Sequence, residues 1–228
     1  MIKVENIDTW GVEHAIRGMR NPYDSWDKSD SYWGYDCNKC GKLNKLEGCR
    51  KEDRVNCEEY KDYVIGPNDL SLMKRLFEAG TEHRKYLRQI MVSMDITAPF
   101  YWWKEFDTYK VGTVANSCST MHTIAKKEFT LEDFSIDHLT DFSKNRLLQL
   151  IEVLNAYRDS YLNSKNKEDW WQLIQLLPMS YNQKRTITMN YENVFTMIKQ
   201  RTNHKLDEWN EFVKILKDLP YVQLIHNE

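Results

Sequence analysis

The spacing of apolar residues predicts alternating strands and helices in the first half of the chain and mostly helices in the second. Short strands are predicted over residues 2–7, 91–96 and 185–189. Helices are predicted over residues 10–19, 70–87, 99–103, 142–162, 168–177, 190–200 and 206–219. No repeat and no glycine-rich linker interrupts this order, so the pattern predicts a single α+β domain.

Two polar segments lie between these elements. Residues 21–35 combine aromatic and charged side chains without a clear period, which predicts a surface loop, and long aromatic loops often carry function. Residues 107–122 are rich in small polar side chains and also lack a period. Because ligands are commonly held by polar groups within an otherwise apolar surface, we expect a polar pocket around residues 105–122.

Four cysteines form the most specific local motif. They follow the pattern Cys-x2-Cys-x8-Cys-x7-Cys, at Cys37, Cys40, Cys49 and Cys57. Zinc favours four soft ligands in a tetrahedron, and Cys-x2-Cys supplies two of them from one turn. A second Cys-x2-Cys pair is missing, so free thiols are an equal alternative to structural zinc in this insertion at about 36–60. The fifth cysteine, Cys118, stands alone and is expected to be a small buried side chain.

Composition and charge exclude several classes of protein. The 228 residues include 32 Lys and Arg against 34 Asp and Glu, a net charge of −2, so we expect no nucleic-acid partner. No apolar run approaches the roughly 18 residues of a membrane-spanning helix, and residues 1–5 do not resemble a signal peptide. We therefore expect a cytoplasmic protein without a membrane partner. Its 8 Trp and 13 Tyr suit large interfaces between subunits.

Common cofactor and nucleophile motifs are absent from the sequence. It contains no Gly-x-Gly-x-x-Gly, no Walker loop and no Gly-x-Ser-x-Gly elbow, which argues against a Rossmann site, an NTPase and an α/β-hydrolase. The pairs Trp102-Trp103 and Trp170-Trp171 are expected to lie in the core or at a subunit interface.

The C-terminal third of the chain resembles the flavin-dependent thymidylate synthase family. Members of that family carry a Leu-Pro, a short strand, an Asn that opens a helix, an Arg near the end of that helix, and then a helix with a Trp. Here these residues are Leu177-Pro178, Asn190, Arg201 and Trp209. The fold implied by this resemblance is α+β, with helices packed on a small, mostly antiparallel sheet.

The resemblance extends backwards and covers residues 70–219. His83, the strand from Met91 and Ala98-Pro99 occur in the family's order, and residues 116–119 resemble the N-E-x-S part of its signature R-H-R-x-x-S-x-N-E-x-S-x-R. The chain departs from that signature at the arginines, because residues 108–110 read Thr-Tyr-Lys where the family has R-H-R. A lysine replaces a bidentate guanidinium only as a point charge.

The resemblance implies a flavin-dependent modification of a pyrimidine nucleotide by a homotetramer. It implies FAD as cofactor, NADPH and methylenetetrahydrofolate as co-substrates, and dUMP as acceptor. Arg201 would be catalytic and contact the nucleotide, with Ser119 at the phosphate and Glu105 where the family often has Gln. The residues implied at the flavin are His83, Tyr109, Lys110, Asn116 and Asn190.

Structural roles explain some of these residues equally well. Asn190 is suited to cap its helix, and Arg201 to pair with a helix C-terminus. A non-catalytic module that binds a nucleotide or takes part in assembly is therefore the alternative function, since the R-H-R motif is missing. Basic and hydroxyl side chains near the first polar segment could replace the lost anion-binding groups: Arg20, Ser25, Lys28 and Ser29.

Overall fold

A computed structural model of the protein describes residues 2–35 and 61–225. The chain divides into two compact units. The larger unit comprises Met1–Thr9 and Val92–Asp218, and the smaller unit comprises Trp10–Met91 and Leu219–Glu228. The four cysteines at positions 37, 40, 49 and 57 lie outside the described residues, so their zinc site stays a prediction.

Strands and helices follow one another through both units. The strands are β1 (Lys3–Trp10), β2 (Tyr32–Tyr35), β3 (Lys61–Val64), β4 (Met91–Pro99), β5 (Thr113–Ser117) and β6 (Asn182–Asn190). The α-helices are α1 (Val12–Arg20), α2 (Pro67–Glu78), α3 (Phe100–Phe106), α4 (Thr120–Thr123), α5 (Asp141–Ser164), α6 (Lys167–Leu176), α7 (Tyr191–Arg201), α8 (Asp207–Lys217) and α9 (Val222–Ile225). Short 3-10 helices cover Asn21–Tyr23, Trp26–Lys28, Lys85–Gln89 and Leu131–Asp133.

A four-stranded sheet in the order β1-β4-β6-β5 forms one face of the larger unit's core. Successive side chains of a strand point to opposite faces, and β4 follows this rule: Val92, Met94 and Ile96 are buried and the residues between them are less so. Strands β5 and β6 pair antiparallel, with Asn116 opposite Thr186. The sheet therefore has one apolar face toward the core and one polar face.

Asp95 organises that polar face. Its carboxylate accepts hydrogen bonds from Thr186 Oγ1 at 2.6 Å and Asn6 Nδ2 at 2.9 Å, and Lys184 Nζ lies 3.1 Å away. These hydrogen bonds, that of Thr186 above all, lower the pKa of Asp95 to about 2. The carboxylate therefore remains ionised and joins β1, β4 and β6 at neutral pH.

Aromatic rings join α3 to α8 in the core of the larger unit. The ring centroids of Trp102 and Phe106 are 5.1 Å apart, and Trp102 lies 4.8 Å from Trp209 and 5.3 Å from Phe212. All four side chains are at most 1% exposed. Each buries a large apolar area, so this cluster sets the position of α3, and with it that of Glu105, relative to α8.

The helical hairpin α5–α6 closes a second apolar cluster in the same unit. Three of the residues on the predicted stripe of α5 are buried there, Leu147, Ile151 and Leu154, whereas the fourth, Leu148, is 40% exposed. Other buried members of the cluster are Ile124, Ala125, Phe129, Phe134 and Leu173. The helical period of this segment was thus sufficient to predict most of the buried face.

A buried ion pair organises the smaller unit. Arg20 Nε donates to Asp69 Oδ1 at 2.7 Å, and Arg20 and Asp69 are 5% and 0% exposed. Asp69 Oδ2 accepts from the hydroxyls of Ser29 and Ser31 at 2.7 and 2.6 Å, and from the N–H groups of Asp30 and Ser31 at 3.1 Å each. One carboxylate thus binds the end of α1, the start of α2 and the loop before β2.

Strands β2 and β3 form a separate two-stranded antiparallel sheet in the smaller unit. Trp33 lies opposite Tyr63, and their rings meet edge to face with centroids 5.3 Å apart. Tyr221 donates its hydroxyl to Asp62 Oδ1 at 2.9 Å, with the carbonyl of Tyr63 at 3.1 Å. The C-terminal segment is thereby tied to β3.

The predicted α+β class is confirmed, but three local predictions are wrong. The helix predicted to continue to residue 87 ends at Glu78, because Gly80 adopts a φ of +106° that breaks the α-helical path. The segment 107–122, predicted to be irregular, contains β5, since pairing with β6 compensates for its weak strand pattern. The predicted loop 21–35 ends in β2 for the same reason.

Replacing Asp69 with Asn should lower the free energy of unfolding by about 3 kcal/mol at pH 7, because Arg20 loses its buried counter-charge. Burial alone would raise the pKa of Asp69, but hydrogen bonds from Ser31, Ser29 and Arg20 and the charge of Arg20 outweigh it and lower that pKa. The stabilisation is therefore present above about pH 4 and is lost as the pH falls through the folded-state pKa.

Urea denaturation of wild type and the Asp69→Asn variant across this range tests both statements. The difference in unfolding free energy should shrink below about pH 4. A difference that stays constant to the acid limit of folding would contradict the role given to the Asp69 carboxylate.

Candidate functional site

Arg201 is placed by the helix that precedes it. Helix α7 is capped by Asn190, whose Oδ1 accepts the N–H of Asn193 at 3.0 Å, so the helix cap suggested by the sequence is formed. Asn190 Nδ2 packs directly against Gly112, whose φ is +72°. Any other residue at position 112 would place its Cβ only 2.2 Å from that nitrogen, so the close approach requires glycine. The eleven residues of α7 then carry Arg201 to the helix end.

Glu105 on α3 meets Arg201 there. Glu105 Oε2 accepts from Arg201 Nη1 at 2.6 Å and from Trp209 Nε1 at 3.1 Å. The side chains of Arg201 and Glu105 are 17% and 36% exposed, so the ion pair lies at the surface of the larger unit rather than in its core. A pair with this exposure contributes at most about 1 kcal/mol to stability.

Aromatic groups hold the Arg201 guanidinium in place. Its carbon Cζ lies 4.6 Å from the centroid of the Trp209 ring and 5.5 Å from that of Tyr109. Arg201 Nε donates to the Tyr109 hydroxyl at 2.8 Å, and that hydroxyl donates to Gln200 Oε1 at 2.9 Å. Tyr109 is buried, so the guanidinium is oriented by a rigid neighbour.

His204 adjoins the same cluster. Its Nδ1 accepts the N–H of Leu206 at 3.1 Å. Its Nε2 lies 3.1 Å from Arg201 Nη1 and 3.3 Å from Glu105 Oε2. Two N–H groups, from Arg201 and Trp209, therefore converge on a single oxygen of Glu105, with the His204 ring beside them.

Two groups of this cluster are left over for a ligand. Arg201 Nη2 and Glu105 Oε1 have no hydrogen-bond partner among residues 2–35 and 61–225, and neither atom is buried. The first is a charged donor and the second a charged acceptor. A ligand edge that presents an acceptor beside a donor is complementary to such a pair, and an anion suits the donor alone.

Two solved structures with bound nucleotides resemble this chain over nearly its whole length. A flavin-dependent thymidylate synthase, ThyX from Helicobacter pylori complexed with FAD and dUMP, matches with a TM-score of 0.62 at 15% identity, over 98% of this chain and 99% of that one. The UMP/dUMP methylase PolB from Streptomyces cacaoi, bound with 5-Br dUMP, matches with a TM-score of 0.59 at 13% identity, over 95% and 88%. No family model and no curated protein matches the sequence.

The fold is that of the flavin-dependent thymidylate synthases. This confirms the fold that the C-terminal resemblance implied. At such low identity the likeness extends to the fold alone, since one fold supports many chemistries. None of the helices in the described parts of the chain is long and apolar enough to cross a membrane.

The thymidylate synthase fold brings three of the sequence-predicted residues together. Glu105, Tyr109 and Arg201 form the cluster described above, although they lie up to 96 positions apart in the chain. The sequence did not single out His204 and Gln200 as members of a site. His204 follows Arg201 by three positions, which is the one signal that could have indicated it.

The remaining predicted residues of the larger unit lie on and after β5. Asn116 is exposed and shares the polar sheet face with Thr186. Ser119 precedes α4, and its carbonyl accepts from Thr123 Oγ1 at 2.7 Å. Lys110 is exposed and makes no ion pair with any residue described in the structure. These side chains are accessible, but they are not part of the Arg201 cluster.

Cys118 is exposed, so the expectation that it is a small buried side chain is wrong. Its N–H bonds to the carbonyl of Lys184 at 2.8 Å, which extends the edge strand by one residue. Because β5 is exposed along most of its length, the thiol has no core to enter. It lies 3.5 Å from the Thr123 hydroxyl.

His83 belongs to the smaller unit, where it lines a cavity of about 530 Å³. The cavity wall is mixed, with polar groups such as Asn21 and Gln89 beside apolar ones such as Met19 and Leu76. The volume falls within the range of small-molecule sites. The residues described in the structure include no group of His, Cys, Asp and Glu that could hold a metal ion.

Replacing Tyr109 with Phe should lower the free energy of unfolding by about 1 kcal/mol, because the hydroxyl both accepts from Arg201 and donates to Gln200. Chemical denaturation measures the change. Tyr32→Phe is the matched control, since Tyr32 is 60% exposed and should tolerate loss of its hydroxyl. Equal effects of the two variants would show that the Tyr109 hydroxyl does not orient the guanidinium.

Proposed function

We propose that this protein is a divergent flavin-dependent thymidylate synthase-like enzyme that modifies a pyrimidine deoxynucleotide such as dUMP. Two observations support the proposal. The fold is shared over nearly the whole length of both chains with ThyX, which was solved with FAD and dUMP. The residue to which the resemblance gave the nucleotide, Arg201, keeps an unused donor at the protein surface.

The Arg201 cluster carries this proposal. Arg201 Nη2 can donate to a carbonyl oxygen or a phosphate oxygen, and Glu105 Oε1 can accept an imide N–H. The uracil ring has a carbonyl beside an imide N–H, so it matches a paired donor and acceptor. Because Tyr109 and Trp209 hold the guanidinium, little side-chain entropy is lost when a ligand binds.

The residues present fit the flavin in part. His83 lines a cavity large enough for a fused ring system, and Asn116 carries an exposed amide on β5. Lys110 is the cation that remains where the family has R-H-R. The Tyr109 hydroxyl is already hydrogen-bonded to Arg201 and Gln200 within the Arg201 cluster. We therefore infer that Asn116, Asn190 and Lys110 in the larger unit are candidate flavin contacts, and His83 is a separate candidate in the smaller unit. Lys110 would bind an anion more weakly than a pair of arginines does.

A bound flavin supplies the hydride chemistry of such a reaction. The residues of this chain would position the acceptor nucleotide. Arg201 would polarise a ring carbonyl, and Glu105, whose other oxygen accepts the N–H groups of Arg201 and Trp209, would hold the imide. Ser119 is proposed to contact the phosphate.

The alternative is a non-catalytic module that binds a nucleotide or takes part in assembly. Two observations favour it specifically: Glu105 neutralises Arg201, and the Thr-Tyr-Lys segment offers only Lys110 as an anion-binding group. Such a protein would bind dUMP but show no turnover with methylenetetrahydrofolate and NADPH.

Replacing Arg201 with Gln should weaken dUMP binding about tenfold or more, because a charge-assisted hydrogen bond is lost. Isothermal titration calorimetry measures the dissociation constant. Lys199→Gln is the matched control, since it removes one positive charge from the last turn of the same helix and lies outside the cluster. Equal losses in the two variants would indicate that only net charge matters and would contradict the assigned contact.

Flavin retention separates the two proposed functions. The absorption spectrum of the purified protein is taken before and after incubation with FAD and gel filtration. It should show flavin bands if the protein is a flavin-dependent enzyme. Absence of those bands with retained dUMP binding would leave the non-catalytic module, and turnover of dUMP would exclude it.

Other implied properties remain proposals of the same kind. They are the use of NADPH and methylenetetrahydrofolate, a homotetrameric assembly, a single α+β domain formed by both units, and a cytoplasmic location. Sedimentation velocity tests the assembly directly, because a monomer would contradict it.

The zinc proposal rests on the sequence pattern of Cys37, Cys40, Cys49 and Cys57. Metal analysis of the protein purified without chelators should give about one zinc per chain, and Cys40→Ser should remove it. Retention of zinc by that variant would exclude the four-cysteine site, and absence of zinc from the wild type would leave the cysteines as free thiols.

A further inference from the structure

A second cavity in the smaller unit, of about 490 Å³, has two arginines and a tryptophan in its wall. Its lining residues are Ile16, Arg17, Arg20, Trp26 and Ser29. All five belong to α1 or to the segment that follows it. We propose that this cavity binds a mononucleotide through its phosphate and its base, a site additional to the Arg201 cluster.

The charges in the wall point to an anion. Arg17 and Arg20 lie three positions apart and therefore share one face of the last turn of α1. Arg20 is paired with the buried Asp69, whereas Arg17 is exposed and has no ion-pair partner among the described residues. Because Asp69 neutralises Arg20, Arg17 is the uncompensated positive charge of the wall, and a bound phosphate would supply its counter-charge.

Arg20 also retains an unused donor. Its Nε is bonded to Asp69, but its Nη2 is buried and has no hydrogen-bond partner in the described structure. Buried N–H groups are almost always paired, so this one is a second donor for an acceptor that displaces the atoms covering it. The hydroxyl of Ser29 donates to Asp69, so the exposed guanidinium of Arg17 is the donor that the wall offers directly to an anion.

The cavity is held open by structure that does not depend on a ligand. Asp69 accepts five hydrogen bonds from Arg20 and from the loop that contains Ser29, which fixes both sides of the wall. Trp26 is 53% exposed, and its indole N–H donates to Asn21 Oδ1 at 2.7 Å, which sets the orientation of the ring. Because little has to be ordered on binding, the loss of entropy is small.

Trp26 specifies the second half of the ligand. An exposed indole face stacks with any nucleobase, since every base has a π-surface, and so it does not distinguish purines from pyrimidines. The volume is in the range of small-molecule sites. The site is therefore expected to accept AMP as well as UMP, unlike a cluster that reads a uracil edge.

Calorimetric titration of the full-length protein with AMP tests the proposal. We expect saturable binding that Arg17→Gln weakens about tenfold and Trp26→Ala about five- to tenfold. Arg75→Gln is the matched control, because Arg75 is an exposed arginine in the last turn of α2 that does not line the cavity. Circular dichroism of each variant verifies that it is folded.

Adenosine and inorganic phosphate serve as partial probes. Each should bind more weakly than AMP, because each uses only one half of the wall. Equal loss of AMP binding in the Arg17 and Arg75 variants, or no AMP binding at all, would overturn the proposal. If AMP binding is lost in Arg201→Gln but kept in Arg17→Gln, the nucleotide binds at the Arg201 cluster and the proposal is overturned. If it is lost in Arg17→Gln but kept in Arg201→Gln, the result supports this site, whether or not the protein binds dUMP.

Discussion

The contact between Glu105 and Arg201 is the interaction on which the candidate site depends. By itself a partly exposed ion pair is weak, and its contribution to folding is small. It is ordered because the aromatic core fixes α3 against α8, so that the carboxylate and the Trp209 ring reach the guanidinium from two sides. The geometry of the site is thus a consequence of apolar packing, and its charge pair adds direction rather than stability.

The same pairing of an arginine with a carboxylate serves a different purpose in the smaller unit. Asp69 is fully buried and accepts five hydrogen bonds, so removing either partner leaves an uncompensated charge in the interior. The pair formed by Arg201 can be disrupted by a competing anion, whereas the pair formed by Arg20 cannot be broken without loosening the loop around it. Burial alone decides which arginine can exchange partners.

Much of the fold could be predicted from the sequence because its long elements are strongly periodic. The stripe on α5 and the order of β6, α7 and α8 are local patterns, and they were sufficient to identify the thymidylate synthase fold. Strand β5 could not be predicted, because its pairing with β6 depends on residues about 70 positions away. The end of α2 also escaped prediction, since a glycine in a helical pattern does not reveal its φ angle.

The site shows the same division between local and non-local information. Spacing and resemblance indicated Arg201 and Glu105, but not that they neutralise each other. Nor could the sequence indicate that the hydroxyl of Tyr109, a residue implied at the flavin, accepts a hydrogen bond from Arg201 instead. These contacts of Arg201 depend on the path of α3 past the end of α7, and only the packed core determines that path.

The distribution of tryptophans gives the chain a built-in optical label for each unit. The indole centroids of Trp103 and Trp209 each lie less than 5 Å from that of Trp102. At these distances the electronic transitions of neighbouring rings couple. Coupled chromophores in a rigid asymmetric environment dominate a near-ultraviolet dichroism spectrum, so that spectrum reports on the larger unit. Trp26 and Trp33 are more than half exposed, so a water-borne quencher of fluorescence acts mainly on the smaller unit, with Trp171, 43% exposed, as the contribution of the larger one.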